Sequence, residues 1–307
     1  MKQAFIFTGQ GSQKQGMAQD FFDTFESAKD IFNRASEAIN LNMQDLIFKE
    51  DPKLDQTAYT QPAILTAEIA MCEAIKERFG QSAKIFAGHS LGEYTALVAS
   101  GFFKLEDAVK IVHKRGALMQ EAVPLGLGAM SALIYDDVLS DKVLNIIKIT
   151  GAEIANYNSL KQLVISGAKD KVETANKDLA ENFPEMRVIP LNVSAPFHCG
   201  LMAVIEEEFK DYINSFKANF DFSKVSQVLS NYTGTFHSED TVIDSLVRQI
   251  SGSVRWIDNM KVLARESQNI IEVGPARVLS KFFEGIDTMN PVKSISNIRT
   301  AEKCFIE

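Results

Sequence analysis

Hydrophobic positions in the first half of the chain fall into short unbroken runs, separated by longer stretches with helical spacing. Residues 4–7 are too short for a helix and uniformly apolar, and read as a buried strand. Residues 84–87, three apolar residues after Lys84, read as another strand. Residues 19–40, 62–79, 91–100 and 105–123 read as helices, and 9–16 as a loop. Strands alternating with helices predict a mainly parallel α/β sheet. The rhythm changes at Gly126-Leu127-Gly128. From there it reads strand 129–134, helix 138–147, strand 153–156, strand 162–166, helix 171–182 and strand 186–191. That is the β-α-β-β-α-β order of a ferredoxin-like unit. A strand at 270–273, then Gly274-Pro275 and a helix at 277–283, resume the α/β pattern. The expected architecture is therefore α/β. A large domain of residues 1–125 and 194–307 has a parallel-sheet core, and residues 126–193 form an inserted small α+β domain. No internal repeat or low-complexity segment interrupts it.

Composition narrows the function. Of 307 residues, 46% are hydrophobic and 23% charged, which excludes a disordered or fibrous chain. Forty acidic against 32 basic residues give a net charge of -8, unsuited to general nucleic-acid binding. No apolar run approaches the roughly 18 residues of a membrane-spanning helix. The apolar start of the chain stops at Thr8, too soon for a secretory signal. Cys72, Cys199 and Cys304 are odd in number and widely spaced, which fits neither a disulfide framework nor a zinc site. These features predict a cytoplasmic protein with free thiols and no metal.

Gly88-His89-Ser90-Leu91-Gly92 is a G-x-S-x-G pentapeptide with a predicted strand before it and a predicted helix after it. A strand-to-helix elbow needs small residues on both sides of the Ser, because the turn is sharp. It also sets the hydroxyl at a helix N-terminus, where free N–H groups stabilise an oxyanion. The plainer assignment for Ser90 is a helix cap in a Gly-rich turn. A Ser nucleophile needs a base, and the chain has four histidines. His89 abuts the Ser and points elsewhere. His113 falls mid-helix, and His237 lies in the polar turn 235–240, where solvent is expected. His198, just past the last strand of the inserted unit, competes with His113 and His237 for the role. Its neighbour Cys199 reads as a small apolar filler.

Arg115 falls in line with Ala108, Val112 and Met119 on the apolar face of its helix. A buried Arg must find an anion. Spacing leaves two choices open, a salt bridge to an internal Asp or Glu and a bidentate grip on a substrate carboxylate. Gly9-Gln10-Gly11 lacks the third Gly of a dinucleotide fingerprint and the Gly-Lys-Ser/Thr of a P-loop. It reads as a tight loop at the carboxyl end of a strand, able to offer N–H groups to the crevice.

Together these segments resemble the malonyl-CoA:acyl carrier protein transacylases, acyltransferases of fatty-acid and polyketide synthesis. The resemblance spans nearly the whole chain. It rests on Phe7-Thr8-Gly9-Gln10-Gly11-Ser12-Gln13, Tyr59-Thr60-Gln61-Pro62-Ala63, Gly88-His89-Ser90-Leu91-Gly92-Glu93-Tyr94 and Arg115-Gly116. Gly128-Ala129-Met130, Asn156-Tyr157-Asn158-Ser159, Ala195-Pro196-Phe197-His198, Val254-Arg255-Trp256 and Glu272-Val273-Gly274-Pro275 complete it. The resemblance implies a hydrolase-like core plus a ferredoxin-like domain, with the site between them. It implies Ser90 as nucleophile and His198 as base, the latter oriented by a backbone carbonyl at Gln249 rather than by an Asp. It implies Gln10 and Leu91 as the oxyanion-hole N–H donors, and Arg115 as the grip on the malonyl carboxylate. Phe197 is similar to the residue of malonyl-selective members. Malonyl-CoA is then a substrate, no cofactor is needed, and holo acyl carrier protein is the partner. Oligomeric state is not legible; a monomer is favoured. Two positions depart from the family pattern: Thr8 and Ser253 stand where Pro is usual, which bears on loop rigidity.

The alternatives belong to other classes. An ordinary α/β serine hydrolase expects its His near the C-terminus, yet the last His here is His237. A carrier-proofreading acyl hydrolase would keep the same motifs. So would a stand-alone acyltransferase of a polyketide assembly line. A non-catalytic docking subunit would not need Ser90, His198 and Arg115 together.

Overall fold

The computed structural model describes residues 2–306. The chain runs β1 (Gln3–Phe7), α1 (Gln19–Thr24), α2 (Glu26–Ile39), α3 (Met43–Phe48), α4 (Thr57–Phe79), β2 (Ile85–Gly88), α5 (Leu91–Ser100) and α6 (Leu105–Glu121). It continues β3 (Gly128–Ile134), α7 (Asp141–Thr150), β4 (Glu153–Ser159), β5 (Gln162–Ala168), α8 (Lys169–Asn182) and β6 (Arg187–Pro190). The remainder holds α9 (Glu206–Asn214), α10 (Val242–Arg248), α11 (Trp256–Glu266), β7 (Asn269–Val273), α12 (Leu279–Phe282), β8 (Lys293–Ile295) and α13 (Ile298–Phe305), with short 3₁₀ turns between.

Two sheets result. One is parallel throughout, in the order β2-β1-β7-β8. β1, β2 and β7 are buried on both faces, which is why they read as apolar runs, whereas the edge strand β8 opens on the exposed Lys293 and does not. The other is antiparallel in the order β4-β5-β3-β6, and α7 and α8 pack against it. This is the ferredoxin-like arrangement expected from the β-α-β-β-α-β order, beside a hydrolase-like parallel core. The most buried helix is α4, enclosed on nearly all sides between α2, α5 and α6.

Several boundaries differ from the sequence pattern. The helix expected over 19–40 is broken at Phe25, whose backbone is extended (φ -118°, ψ 129°). Its ring is buried near Phe21, so apolar periodicity continues across the break and hides it. The helix expected from Pro62 begins five residues earlier, at Thr57. Pro62 sits inside the helix, and its missing N–H costs one backbone bond close to the N-terminus. The helix expected from 138 starts at Asp141, although Val138 is fully buried outside it.

Candidate active site

The pentapeptide forms a strand-to-helix elbow between β2 and α5. A Cβ on Gly88 would collide with Gly92 O, and one on Gly92 would collide with Phe7 O of β1. Both glycines are therefore dictated by the crossing of the elbow over the neighbouring strand. Ser90 itself is held at φ 53°, ψ -104°, outside the usual regions for a residue with a side chain. Asn231 stabilises that conformation. Its Oδ1 accepts the Ser90 N–H at 2.6 Å, and its Nδ2 donates to Gly88 O at 2.8 Å.

Ser90 Oγ lies 2.8 Å from His198 Nε2. His198 is 5% exposed, also at positive φ (58°), and its Nδ1 lies 2.7 Å from Gln249 O, just past the end of α10. A carbonyl accepts only, so Nδ1 carries the proton and Nε2 presents a lone pair to the serine hydroxyl. Burial, reinforced by the charge of Arg115, pulls the His198 pKa down to about 3. The imidazole is thus a neutral base at ordinary pH.

Arg115 of α6 is 1% exposed. Its Nη1 donates to Gln61 Oε1 at 2.7 Å, and its Nη2 to Gln249 Oε1 at 2.8 Å and Ser90 Oγ at 3.2 Å. Its Cζ lies 5.1 Å from the centre of the Tyr94 ring, and among the described residues its Nε has no partner and no Asp or Glu pairs with it directly. Two neutral amides hold it in place. That outcome removes the salt-bridge assignment and leaves a buried cation beside the serine without an anion. Burial lowers its pKa, opposed by Tyr94 and Glu93.

Behind the elbow lies a network that sequence reasoning missed. Glu93, fully buried, accepts from Asn231 N at 2.9 Å, from Gln249 Nε2 at 2.7 Å, and faces His237 Nε2 at 2.7 Å. His237 was expected in solvent and is instead 4% exposed. The turn around it is polar because its neighbours face water, while the His side chain turns inward to the carboxylate. It stands behind Glu93, which leaves His198 as the histidine at the hydroxyl. His113 is remote from the serine, half-buried beside Tyr59. His89 points away as expected, to Asn158 Oδ1 at 2.8 Å, and burial pulls its pKa down to about 4. Cys199 is fully buried, with Sγ 3.0 Å from Pro196 O, in keeping with a filler role.

A cavity of about 700 Å³ opens on Ser90. Gln10, Leu91, Arg115, Phe197 and His198 line it, and Met130, Asn156 and Val164 close it from the antiparallel sheet. Leu91 opens α5, so its N–H has no intrahelical acceptor. Gln10 is in the loop after β1, its side chain donating to Thr57 Oγ1 at 3.1 Å. Phe197 is 8% exposed at the wall. Of the residues that the family resemblance assigns to the site, all but Gln249 line this cavity, and Gln249 touches three that do. A second cavity, of about 740 Å³, shares no lining residue with it. Among the described residues, no three His, Cys, Asp or Glu side chains gather as a metal site.

The arrangement can carry out acyl transfer through a serine ester: an activated hydroxyl, a neutral base, unpaired N–H donors and a cation for an acidic acyl group. The acyl transferase domain model matches residues 4–302. The chain is 39% identical to the malonyl CoA-acyl carrier protein transacylase of Staphylococcus aureus, over 97% of this chain and 96% of that one. It superposes with a TM-score of 0.91 on the malonyl CoA-acyl carrier protein transacylase of Clostridium perfringens, 38% identical, covering 99% of this chain and 96% of the other. A solved complex of a type II PKS acyl-carrier protein with its malonyl-transacylase is similar too, at TM-score 0.90, 30% identity, and 100% and 99% coverage. On this evidence the chain belongs to the acyl transferase domain family, as a member of its malonyl CoA-acyl carrier protein transacylase group.

Proposed function

We propose that this acyltransferase moves a malonyl group from malonyl-CoA to the phosphopantetheine thiol of an acyl carrier protein, supplying fatty-acid chain elongation. The observation that carries the reading is the position of Ser90 Oγ, 2.8 Å from His198 Nε2 and 3.2 Å from Arg115 Nη2. Base and carboxylate anchor converge on one hydroxyl.

In the first half-reaction Ser90 Oγ attacks the thioester carbonyl while its proton passes to His198 Nε2. The oxyanion is met by the N–H groups of Gln10 and Leu91. The C–S bond then breaks, and the CoA sulfur leaves with the proton from His198. In the second, the carrier thiol gives its proton to His198 and attacks the ester. Ser90 leaves with that proton restored. Gln249 O holds His198 in the required tautomer throughout. Arg115 pairs with the free malonyl carboxylate, and Phe197 shapes the wall beside it. Acetyl would leave that cation buried and unpaired, which disfavours it strongly.

In this reading residues 1–125 and 194–307 act as the large domain and 126–193 as the small one, with the acyl group bound where both line the cavity. CoA is a substrate and no resident cofactor takes part. In this proposal the enzyme is cytoplasmic and a monomer is favoured. No helix among the described residues is long and apolar enough to cross a membrane. Peptide mapping after brief exposure to malonyl-CoA tests the assignment. The malonyl ester is expected on the peptide containing Ser90, and an adduct elsewhere would contradict it.

A further inference from the structure

Among the buried acids that the proposed mechanism does not use, Glu68 of α4 stands apart: it is fully buried, and among the described residues its Oε2 has no hydrogen-bond partner. The charged group that most affects it is another acid, Glu272 of β7. Glu272 is also fully buried, but it accepts three backbone N–H groups, from Val278 and Leu279 at 2.8 Å and Ser280 at 3.0 Å. Two neighbouring buried carboxyls do not both ionise cheaply, and the donors lie with Glu272. Glu68 receives a single N–H, from Thr8 at 2.7 Å, on the same Oε1 that faces the Thr8 hydroxyl.

The remaining contacts can be counted in protons. Glu68 Oε1 lies 2.6 Å from Thr8 Oγ1, Thr8 Oγ1 lies 2.8 Å from Ser12 Oγ, and Ser12 Oγ lies 2.8 Å from Gly9 O. Each distance fits an O–H···O hydrogen bond, and a full set of three unshared bonds takes three protons. The two hydroxyls supply two, and the Gly9 carbonyl supplies none. The third belongs to Glu68. We propose that Glu68 is a neutral carboxylic acid that positions the oxyanion hole, through the chain Glu68 O–H to Thr8, Thr8 O–H to Ser12, and Ser12 O–H to the Gly9 carbonyl.

The link to chemistry is the peptide plane. Gly9 C=O and Gln10 N–H belong to one trans peptide, so they point in opposite directions and turn together. Fixing the carbonyl on Ser12 fixes the Gln10 N–H. Gly9 is also pressed on the elbow, since a Cβ there would collide with His89 O. Thr8 occupies the position where the family pattern has Pro. A Pro offers a fixed φ but neither N–H nor hydroxyl. Here the same loop is held by hydrogen bonds to an acid. Desolvation, with Glu272 adding to it, pushes the Glu68 carboxyl up to about 8. The groups facing it are Glu272 from β7, Cys72 one turn along α4, and the hydroxyls of Thr8 and of Thr95 from α5.

This inference rests on the role proposed for Gln10, so its test separates the two. Infrared difference spectra of the native enzyme against Glu68→Gln read the proton itself. A carboxylic acid C=O band is expected near neutral pH, absent from the variant and titrating away as pH rises past about 8. No such band near neutral pH would overturn the proposal, whatever the enzyme transfers. The second readout is the rate of malonyl-Ser90 formation. Ser12→Ala and Glu68→Ala should each slow it about tenfold with KM unmoved. Glu68→Gln, whose amide N–H stands in for the acid proton, should recover most of that loss. A Ser12→Ala enzyme that acylates at the native rate would overturn the link to Gln10, while the transferase reading would stand because the native enzyme still acylates.

Discussion

His198 and Gln249 meet through main chain, not through a carboxylate: Nδ1 lies 2.7 Å from Gln249 O. The difference has chemical content. In a Ser-His-Asp triad a buried anion orients the imidazole and stabilises it when charged. A carbonyl does only the first. The positive charge that appears on His198 during transfer is therefore poorly compensated, and it sits beside Arg115. In the mechanism proposed here the malonyl carboxylate supplies the missing anion, so that substrate selection and base strength would be coupled through that one charge.

Ser90→Ala should leave no malonyl adduct on the protein. Transfer should fall by about six orders of magnitude, the scale seen when a serine acyl enzyme loses its nucleophile. Intact mass after malonyl-CoA exposure checks it. An adduct persisting on the variant, at Cys199 for example, would show that Ser90 is not the acceptor.

Arg115→Ala should cost about 2–5 kcal/mol in kcat/KM with malonyl-CoA. With acetyl-CoA the loss should be much smaller, so the ratio of the two narrows by on the order of 10²-fold. A malonyl preference that survives the change would remove Arg115 from carboxylate binding.

Gln249→Ala separates two functions of one residue. The backbone carbonyl stays, so His198 keeps its tautomer. The Oε1 that holds Arg115 at 2.8 Å is lost. Malonyl KM should rise about tenfold with a smaller change in kcat. Equal loss in kcat with malonyl and acetyl would mean the carbonyl had moved.

The titrations run in opposite directions. The His198 pKa is depressed, so the unfolded chain binds the proton first, and this contribution to stability is lost as pH falls toward about 3. The acylation half-reaction should show no acid limb at the ordinary histidine pKa. The Glu68 pKa is raised from 4.5 to about 8, so the folded chain binds the proton more tightly. Its contribution is full below 4.5 and is lost as pH rises through about 8. Denaturation midpoints of native and Glu68→Gln protein should diverge across that window, the variant gaining relative stability at the alkaline end.

His237→Ala should destabilise the fold by about 3 kcal/mol, because it removes one donor from a buried carboxylate. Urea unfolding measures this. A change within about 0.5 kcal/mol, the usual range for a surface substitution, would mean that Glu93 does not depend on the pair.

The parts of the site that local pattern encodes were legible. Ser90 announces itself through two glycines that the elbow's sterics require, and Arg115 through an apolar stripe it interrupts. The network that holds them was not. Asn231 reaches Ser90 across 141 positions, and His237 reaches Glu93 across 144. Neither lies on a periodic face that would mark it as buried. The fold followed the same division. Two-faced burial made the parallel strands readable as apolar runs. Phe25 and Pro62 misplaced helix ends, because packing kept an apolar side chain buried across a break and tolerated a Pro within a helix.

In the proposed reaction malonyl passes through the enzyme to a carrier thiol. Intact-protein mass spectrometry tests it directly, with malonyl-CoA added first and holo-acyl carrier protein second. A malonyl mass should appear on the enzyme, persist while the enzyme is alone, and move to the carrier when it is added. A malonyl mass that disappears equally fast without carrier would make water the acceptor and contradict it.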